Sequence, residues 1–163
     1  MTLNPLITDL TYDDLAQQIK NFGQPEFRAQ QIWVAVYQTL HSGFDQISTL
    51  PLALRQQLAK HYDFKALTPV RTIQSKSGQT IKTLFRLRDN HPIEVVLMMY
   101  EDRKTLCISS QSGCGMACSF CATGQMGLRR SLTSGEIVDQ VLYFARMLDQ
   151  QGDSLSNVVV MGM

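Results

Sequence analysis

The sequence lacks long apolar runs, internal repeats and low-complexity tracts. Its 163 residues contain no run of 18 consecutive apolar residues, and a membrane-spanning helix needs about 20, so we expect no membrane segment. The acidic N-terminal stretch MTLNPLITDLTYDD has neither the basic flank nor the apolar core of a secretory signal. Four cysteines without such a signal predict a reducing, cytoplasmic location, where clustered thiols more often bind metal than form disulfides.

The composition is sufficient for one folded domain, because 44% of the residues are hydrophobic. The net charge of +1 conceals an uneven distribution. Residues 1–54 carry two basic and five acidic side chains, residues 55–104 carry ten and five, and residues 105–163 carry three and four. The basic middle segment is a candidate surface for a polyanion, although an ordinary solvated surface explains the same counts.

Residues 1–66 are predicted to form a small helical domain. Thr11 and Asp14 match a capping box in front of the first helix. Apolar residues at helical spacing predict two further helices, at Phe27–Leu40 and Leu52–Tyr62.

Residues 67–104 are predicted to form a small antiparallel segment of β-hairpins. Ile81–Arg88 alternates between two faces, and Ile93–Tyr100 is predicted as the next strand. The predicted inner face comprises Ile81, Thr83, Phe85 and Leu87, and the basic outer face comprises Lys82, Leu84, Arg86 and Arg88.

Residues 105–163 are predicted to form the first βαβ unit of an α/β barrel or doubly wound sheet. A strand at Leu106–Ser109 leads into a cysteine-containing loop, and a capping box opens the next helix. That helix is predicted to bury Ile137, Val138, Val141, Leu142, Ala145 and Leu148. Asn157–Met161 is predicted as a buried parallel strand. Because the sequence stops at Met163 with nothing to cover this strand, we expect an N-terminal fragment of a longer protein.

The strongest chemical signal is the triplet Cys114, Cys118 and Cys121, spaced C-x3-C-x2-C. Soft thiolates suit iron, and three on one short loop can bind three irons of a 4Fe–4S cluster and leave the fourth open to a small molecule. Zinc is an alternative, with Cys107 as a fourth ligand at an unusual spacing. Four buried cysteines without metal are a third alternative, and the spacing leaves all three open.

The segments around the triplet closely resemble the RlmN branch of the radical S-adenosylmethionine (SAM) superfamily, dual-specificity methyltransferases of 23S ribosomal RNA and transfer RNA. The matching segments span essentially the whole chain: Phe27–Ile32, Gly78–Lys82, Thr105–Gly124, Gly127–Val141 and Asn157–Met163. The resemblance implies that the helical domain and hairpins precede a truncated radical SAM partial barrel of the (βα)6 type. It also implies methylation of adenine C2 through a methyl-cysteine intermediate. Cfr-type methylation at C8 and a non-catalytic, zinc-dependent RNA-binding module are the alternatives.

The same resemblance implies roles for particular residues. Cys114, Cys118 and Cys121 would bind the 4Fe–4S cluster, whose open iron would bind SAM. Glu94 matches a family proton acceptor, and Cys107 matches a cysteine that forms a transient disulfide with the methyl-carrying cysteine. From the sequence alone, an outward charge on an edge strand would explain Glu94, and a buried strand cysteine would explain Cys107.

Five basic residues are predicted to bind RNA phosphates: Lys82, Arg86, Arg88, Arg129 and Arg130. The resemblance implies RNA substrates and an electron donor such as flavodoxin or ferredoxin, and we expect a cytoplasmic monomer. In the family, the remaining SAM contacts and the methyl-carrying cysteine lie beyond the position of Met163. We therefore expect that the 163-residue chain by itself does not methylate RNA.

Overall fold

The computed structural model describes residues 3–160 and divides the chain into two compact units, with the boundary between Ala66 and Leu67. The first unit is helical: α1 is Tyr12–Asn21, α2 is Phe27–Tyr37 and α3 is Leu52–His61. Within the described residues, no helix has the length and apolar character needed to cross a membrane.

Helix α1 begins where its capping residues predict. The predicted capping box of Thr11 and Asp14 is confirmed, with each side chain bonded to the other residue's backbone N–H. The predicted end of α2 is wrong by three residues, because the backbone of Leu40 is left-handed (φ 56°) and cannot continue a helix. Each of the three helices buries apolar side chains, among them Leu15, Ile19, Ile32, Val36, Leu54 and Leu58.

The second unit is built on one five-stranded sheet in the order β1-β2-β3-β4-β7. Its elements are β1 (Leu67–Gln74), β2 (Thr80–Leu87), β3 (Pro92–Met99), β4 (Lys104–Ile108), β5 (Gln111–Gly113), α4 (Ala122–Gln125), β6 (Leu128–Ser131), α5 (Ser134–Asp149) and β7 (Asn157–Val160). Strands β1 to β4 are antiparallel, whereas β7 lies parallel to β4. The unit β4–α5–β7 is therefore the predicted βαβ unit, and the chain has the predicted α/β fold. Strands from the segments 67–104 and 105–163 share this sheet.

The sheet has a covered face and an open face, which follow from the period-two alternation of β2 and β3. On the covered face, Phe85 contacts the rings of Tyr143 and Phe144 of α5, with centroids 4.8 and 6.2 Å away. The β3 residues of this face, Ile93, Val95 and Leu97, are 0% exposed. Residues between them in the sequence point to the open face and remain partly exposed.

Helix α5 buries only part of the set of side chains that its apolar pattern predicts. The capping box of Thr133 and Glu136 is confirmed, and Leu142 and Leu148 are buried as predicted. Ile137, Val138, Val141 and Ala145 are only half-buried. Three polar residues are buried instead: Glu136, Asp139 and Gln140. Each has a polar partner on the protein, which offsets the cost of burial.

Strand β7 pairs in parallel with β4 as predicted, but the prediction that it is buried is wrong for the described residues. Val158 and Val160 are 41% and 61% exposed. Within residues 3–160, β4 is the only strand hydrogen-bonded to β7, so one edge of β7 faces solvent. The predicted last residue of this strand, Met161, lies outside the described residues.

Candidate functional site

A row of side chains crosses the open face of the sheet. Strand register places Lys82 opposite Val96, Val96 opposite Cys107, and Cys107 opposite Val159. Glu94 lies two residues before Val96 and therefore points to the same face. Glu94 and Cys107 are thus diagonal neighbours on adjacent strands, a relation that puts Cβ atoms about 7–8 Å apart.

Glu94 pairs with Lys82 from the neighbouring strand. The Lys82 Nζ lies 3.1 Å from Oε1 and 3.3 Å from Oε2 of Glu94, and both side chains are about two-fifths exposed. The pair lies in a shallow cavity of about 260 Å³ that is lined by Arg71, Ile73, Lys82, Leu84 and Glu94. A carboxylate and an ammonium group are therefore both accessible to a ligand on the open face.

Cys107 is a free, half-buried thiol on β4. Burial raises its pKa above the ordinary value for cysteine, because the charged thiolate loses solvation. The neutral thiol is therefore the favoured form at neutral pH. Nucleophilic attack by Cys107 requires either a higher pH or a base that takes the proton as the reaction begins.

The three cysteines of the triplet lie on the loop that connects β5 to β6, beyond the carboxyl end of β4. The Cys114 N–H donates to the carbonyl of Gly127 (3.2 Å), and the Cys121 N–H donates to the carbonyl of Cys118 (3.1 Å). The short helix α4 follows Cys121 directly. All three thiols are free and half-buried.

Two glycines allow this loop to fold tightly. A Cβ on Gly113 would lie 2.0 Å from the carbonyl oxygen of Gly127, and the backbone there is left-handed (φ +73°). A Cβ on Gly124 would lie 2.9 Å from the backbone nitrogen of Cys118. Both contacts involve backbone atoms, which cannot move away as a flexible side chain can. Larger residues at these positions would therefore open the loop.

The donor chemistry of the loop fits an iron–sulfur cluster. Cysteine thiolates hold iron–sulfur clusters, and three of them on one short segment can bind three of the four irons of a 4Fe–4S cluster. All three thiols are partly accessible. Among residues 3–160, however, no three His, Cys, Asp or Glu side chains are already grouped to hold a metal ion. The thiols must therefore move together on binding. Phe120, at the tip of the loop, is 91% exposed and does not pack over the cysteines.

The structure separates the five predicted RNA-binding residues into different environments. Arg86 and Arg129 are exposed, and Lys82 is paired with Glu94. Arg88 is half-buried and follows the last residue of β2. Arg130 bonds to side chains of the protein itself, and its binding to RNA phosphates stays a prediction.

Arg130 binds two carboxylates at once. Its Nη1 and Nη2 donate to the two oxygens of Glu136, at 2.7 and 2.8 Å, and its Nε donates to Asp89. Hydrogen bonds to Glu136 and Asp89 raise the pKa of Arg130 above its usual range. Partial burial alone would raise the pKa of Asp89, but hydrogen bonds from Arg130 and His91 outweigh it and hold that pKa well below its usual range.

Sequence reasoning missed the residues that support the loop. Asp89 and Arg130 are 41 positions apart, and no spacing rule connects a turn residue with a residue of a later strand. Glu136 gave a signal as the third residue of a capping box, but that motif predicts only its bonds to Thr133. Gln140 gave no signal, although its side chain bonds to both the N–H and the carbonyl of Ser109.

Comparison with known proteins supports this description of the chain. Residues 6–63 match the family model described as "Ribosomal RNA large subunit methyltransferase N-terminal domain". A probable dual-specificity RNA methyltransferase RlmN from Corynebacterium diphtheriae is 46% identical over 155 residues, which are 95% of this chain and 42% of that protein. The protein of the same name from Chloroflexus aurantiacus is 44% identical over 160 residues, with the same two coverages.

A solved structure extends the similarity to the fold. The crystal structure of a radical SAM methyltransferase from Sphaerobacter thermophilus superimposes with a TM-score of 0.93 at 47% sequence identity, over 98% of this chain and 47% of that one. The chain spans less than half the length of the curated relatives it matches. Over nearly its whole length, the chain is therefore similar to RlmN-type RNA methyltransferases and to a radical SAM methyltransferase of known structure.

Proposed function

We propose that the protein containing this chain methylates C2 of adenine in 23S ribosomal RNA and in transfer RNAs, using SAM and a 4Fe–4S cluster. The observation that carries the proposal is the common placement of Glu94 and Cys107 on the open face of one sheet. The strand that carries Cys107 also leads into the loop of Cys114, Cys118 and Cys121. Residues to which the family resemblance gives separate roles are thus adjacent in the fold.

The loop thiols are the ligands in this proposal. Cys114, Cys118 and Cys121 would each bind one iron, and the backbone bonds of Cys114 and Cys121 would hold the loop in a compact form. A bound cluster supplies the electron that starts SAM-dependent radical chemistry. The tight approaches at Gly113 and Gly124 keep the ligands on one short, closed segment.

Glu94 and Cys107 act on the substrate side of the site. Glu94 would accept a proton, with Lys82 holding its carboxylate in position from the adjacent strand. Cys107 would form the transient disulfide that the resemblance implies, with a methyl-carrying cysteine outside this sequence. As the S–S bond forms, the bond between that cysteine's sulfur and the transferred carbon would break; the electron pair would go to that carbon, and the methylated RNA would be released. Its raised pKa keeps the thiol protonated until that step.

The surroundings of the site support an RNA substrate. Lys82 and Arg86 lie on β2, and the exposed Arg129 lies on β6, directly after the cysteine loop. These cations would bind phosphates and position an adenine near the open face. We further propose a cytoplasmic monomer that takes electrons from a flavodoxin or ferredoxin, and that the 163-residue chain alone is inactive.

The test is mass spectrometry of nucleosides from RNA of cells that lack their own enzyme of this type and express the full-length protein. We expect 2-methyladenosine with the natural sequence. Cys118→Ala should abolish both the brown chromophore of the anaerobically reconstituted protein and the product. Cys107→Ala and Glu94→Gln should keep the chromophore, and Glu94→Gln should lower the methylation rate at least about 100-fold.

Other products would contradict specific parts of the proposal. The appearance of 8-methyladenosine would replace the C2 assignment by the Cfr-type activity. A colourless protein with one zinc ion per chain would replace the enzyme by a zinc-dependent RNA-binding module. Full activity in Glu94→Gln would remove Glu94 from the mechanism while leaving the cluster assignment intact.

A further inference from the structure

The base of the cysteine loop is a two-stranded ribbon formed by β5 and β6. Ser112 lies opposite Arg130 and Gly113 lies opposite Leu128 in this ribbon, and Cys114 follows it immediately. The β5 strand is anchored by Ser112, which is 0% exposed and donates from its hydroxyl to the carbonyl of Pro92 at 2.7 Å. The position of the loop therefore also depends on how firmly the other strand of the ribbon, β6, is attached to the rest of the unit.

Arg130 attaches β6 to two other elements. The fork-shaped contact with Glu136 joins β6 to the first turn of α5, and the contact with Asp89 joins it to the turn between β2 and β3. The Arg130 side chain also donates to the carbonyl of Ser131 at 3.0 Å. One guanidinium thus holds a ribbon, a helix and a hairpin turn together.

The burial of Glu136 makes its contact with Arg130 costly to break. The side chain of Glu136 is only 4% exposed, and its carboxylate also accepts a hydrogen bond from the N–H of Thr133 at 2.9 Å. Two-point contacts between arginine and a carboxylate are among the strongest hydrogen bonds in proteins. Removal of Arg130 would leave Glu136 buried without its cation, which is strongly unfavourable.

We propose that Arg130 is a positioning residue for the cysteine loop: it fixes the ribbon that carries Cys114, Cys118 and Cys121, so that the three thiols can converge on one cluster. This inference rests on the proposed function, because it assumes that the loop binds a cluster. Ordering a loop around a metal centre costs conformational entropy. A base that is fixed beforehand lowers that cost, as partners that orient metal ligands do in other sites.

The first test needs no cluster. Each cysteine of the metal-free protein is alkylated with iodoacetamide, and its rate is followed by peptide mass spectrometry. We expect Arg130→Gln to accelerate alkylation of the three loop cysteines several-fold while the rate at Cys107 stays unchanged. Arg146→Gln is the matched control, because it removes an arginine–aspartate contact at the other end of α5 and should leave the loop rates unchanged.

The second test measures cluster binding after anaerobic reconstitution. Iron is withdrawn with a chelator, and the loss of the visible absorbance is timed. Arg130→Gln should lose its cluster about 10-fold faster than the natural protein, and Arg146→Gln should not. Arg130→Lys should rescue little, because an ammonium group cannot form the two-point contact with Glu136. A rescue equal to the natural protein would show that only charge matters and would overturn the geometric role.

Each measured rate either supports the positioning role of Arg130 or overturns it. Unchanged loop alkylation in a folded Arg130→Gln protein overturns the proposal, and so does faster alkylation without faster cluster loss. If Arg130→Gln does not fold, Asp89→Ala removes one of the two contacts and should produce the same effects at smaller size; unchanged rates in that variant overturn the proposal. Failure of the natural protein to bind any cluster counts against the proposed function instead, and the alkylation rates still decide whether Arg130 fixes the loop.

Discussion

The covered and open faces of the five-stranded sheet are made from alternate residues of the same strands, and they differ in almost every physical property. On β3, Ile93, Val95 and Leu97 are fully buried on the covered face, whereas Glu94, which follows Ile93, is about two-fifths exposed. The covered face has aromatic and aliphatic contacts. The open face has an ion pair, a thiol and a shallow cavity.

This difference indicates that stability and chemistry are assigned to opposite sides of one element. A strand that alternates strictly between them allows a side chain on the open face to change without disturbing the packing beneath. Substitutions on the covered face should therefore change the free energy of unfolding, and those on the open face should change reactivity. Two neighbouring residues on opposite faces whose substitutions had the same effects would contradict this assignment.

The largest effect is expected for Phe85→Ala on the covered face. Phe85 of β2 is 0% exposed and contacts two aromatic rings of α5. Its removal leaves a cavity that should lower the free energy of unfolding by about 3–5 kcal/mol. Leu84→Ala, one residue away on the open face, should cost about 1 kcal/mol or less. Urea unfolding followed by circular dichroism measures both. Equal losses would show that the open face is packed against something that its exposure does not reveal.

A smaller loss of stability is expected for Gln140→Leu, which tests the role of a buried polar residue of α5. Gln140 is 0% exposed and bonds to the N–H and the carbonyl of Ser109, at 2.8 and 2.9 Å. Leucine would leave both backbone groups buried without a partner, at a cost of about 1–3 kcal/mol. Gln150→Leu, at the exposed end of the same helix, is the control. A stabilised Gln140→Leu protein would mean that apolar packing alone governs this side.

These cases also show how far sequence reasoning reaches in this protein. The alternation in Ile81–Arg88 predicts both faces of β2, because a half-buried strand must repeat every two residues. The same reasoning succeeds only in part for α5, where Leu142 and Leu148 are buried as predicted, whereas Val138 and Val141 are half-buried and Gln140 is missed. Hydrophobic periodicity assumes that polar residues stay in water, and it cannot identify the backbone of Ser109 as a buried hydrogen-bond partner of Gln140.

The candidate site shows the same limit. The spacing of Cys114, Cys118 and Cys121 predicts a ligand set, because all three residues belong to one local segment. The shared face of Glu94 and Cys107 could be deduced only once the register of β3 and β4 was known. Arg130 was predicted to bind RNA from its charge alone. Its bonds to Asp89 and Glu136 could not be predicted in this way, because they depend on tertiary contacts that bring a turn, a ribbon and a helix together.

The smallest effect in free energy, and the sharpest test of the open face, concerns the pH dependence of Cys107. Burial raises the pKa of this thiol, so the folded state favours the protonated form. The stability that this group contributes is therefore present below the ordinary thiol pKa of about 8.5 and is lost as the pH rises through the folded value. Alkylation of Cys107 should consequently reach half its maximal rate at a higher pH in the folded protein than in urea.

Peptide mass spectrometry resolves the alkylation rate of Cys107 at each pH, and the unfolded chain supplies the reference for the same residue. Val96→Ser is the informative variant, because Val96 lies directly opposite Cys107 on the open face. A hydroxyl there should solvate the thiolate and bring the folded midpoint closer to that of the unfolded chain. A folded midpoint at or below the unfolded one would mean that solvent or a cation stabilises the thiolate, and Cys107 would then be poised to attack without a base.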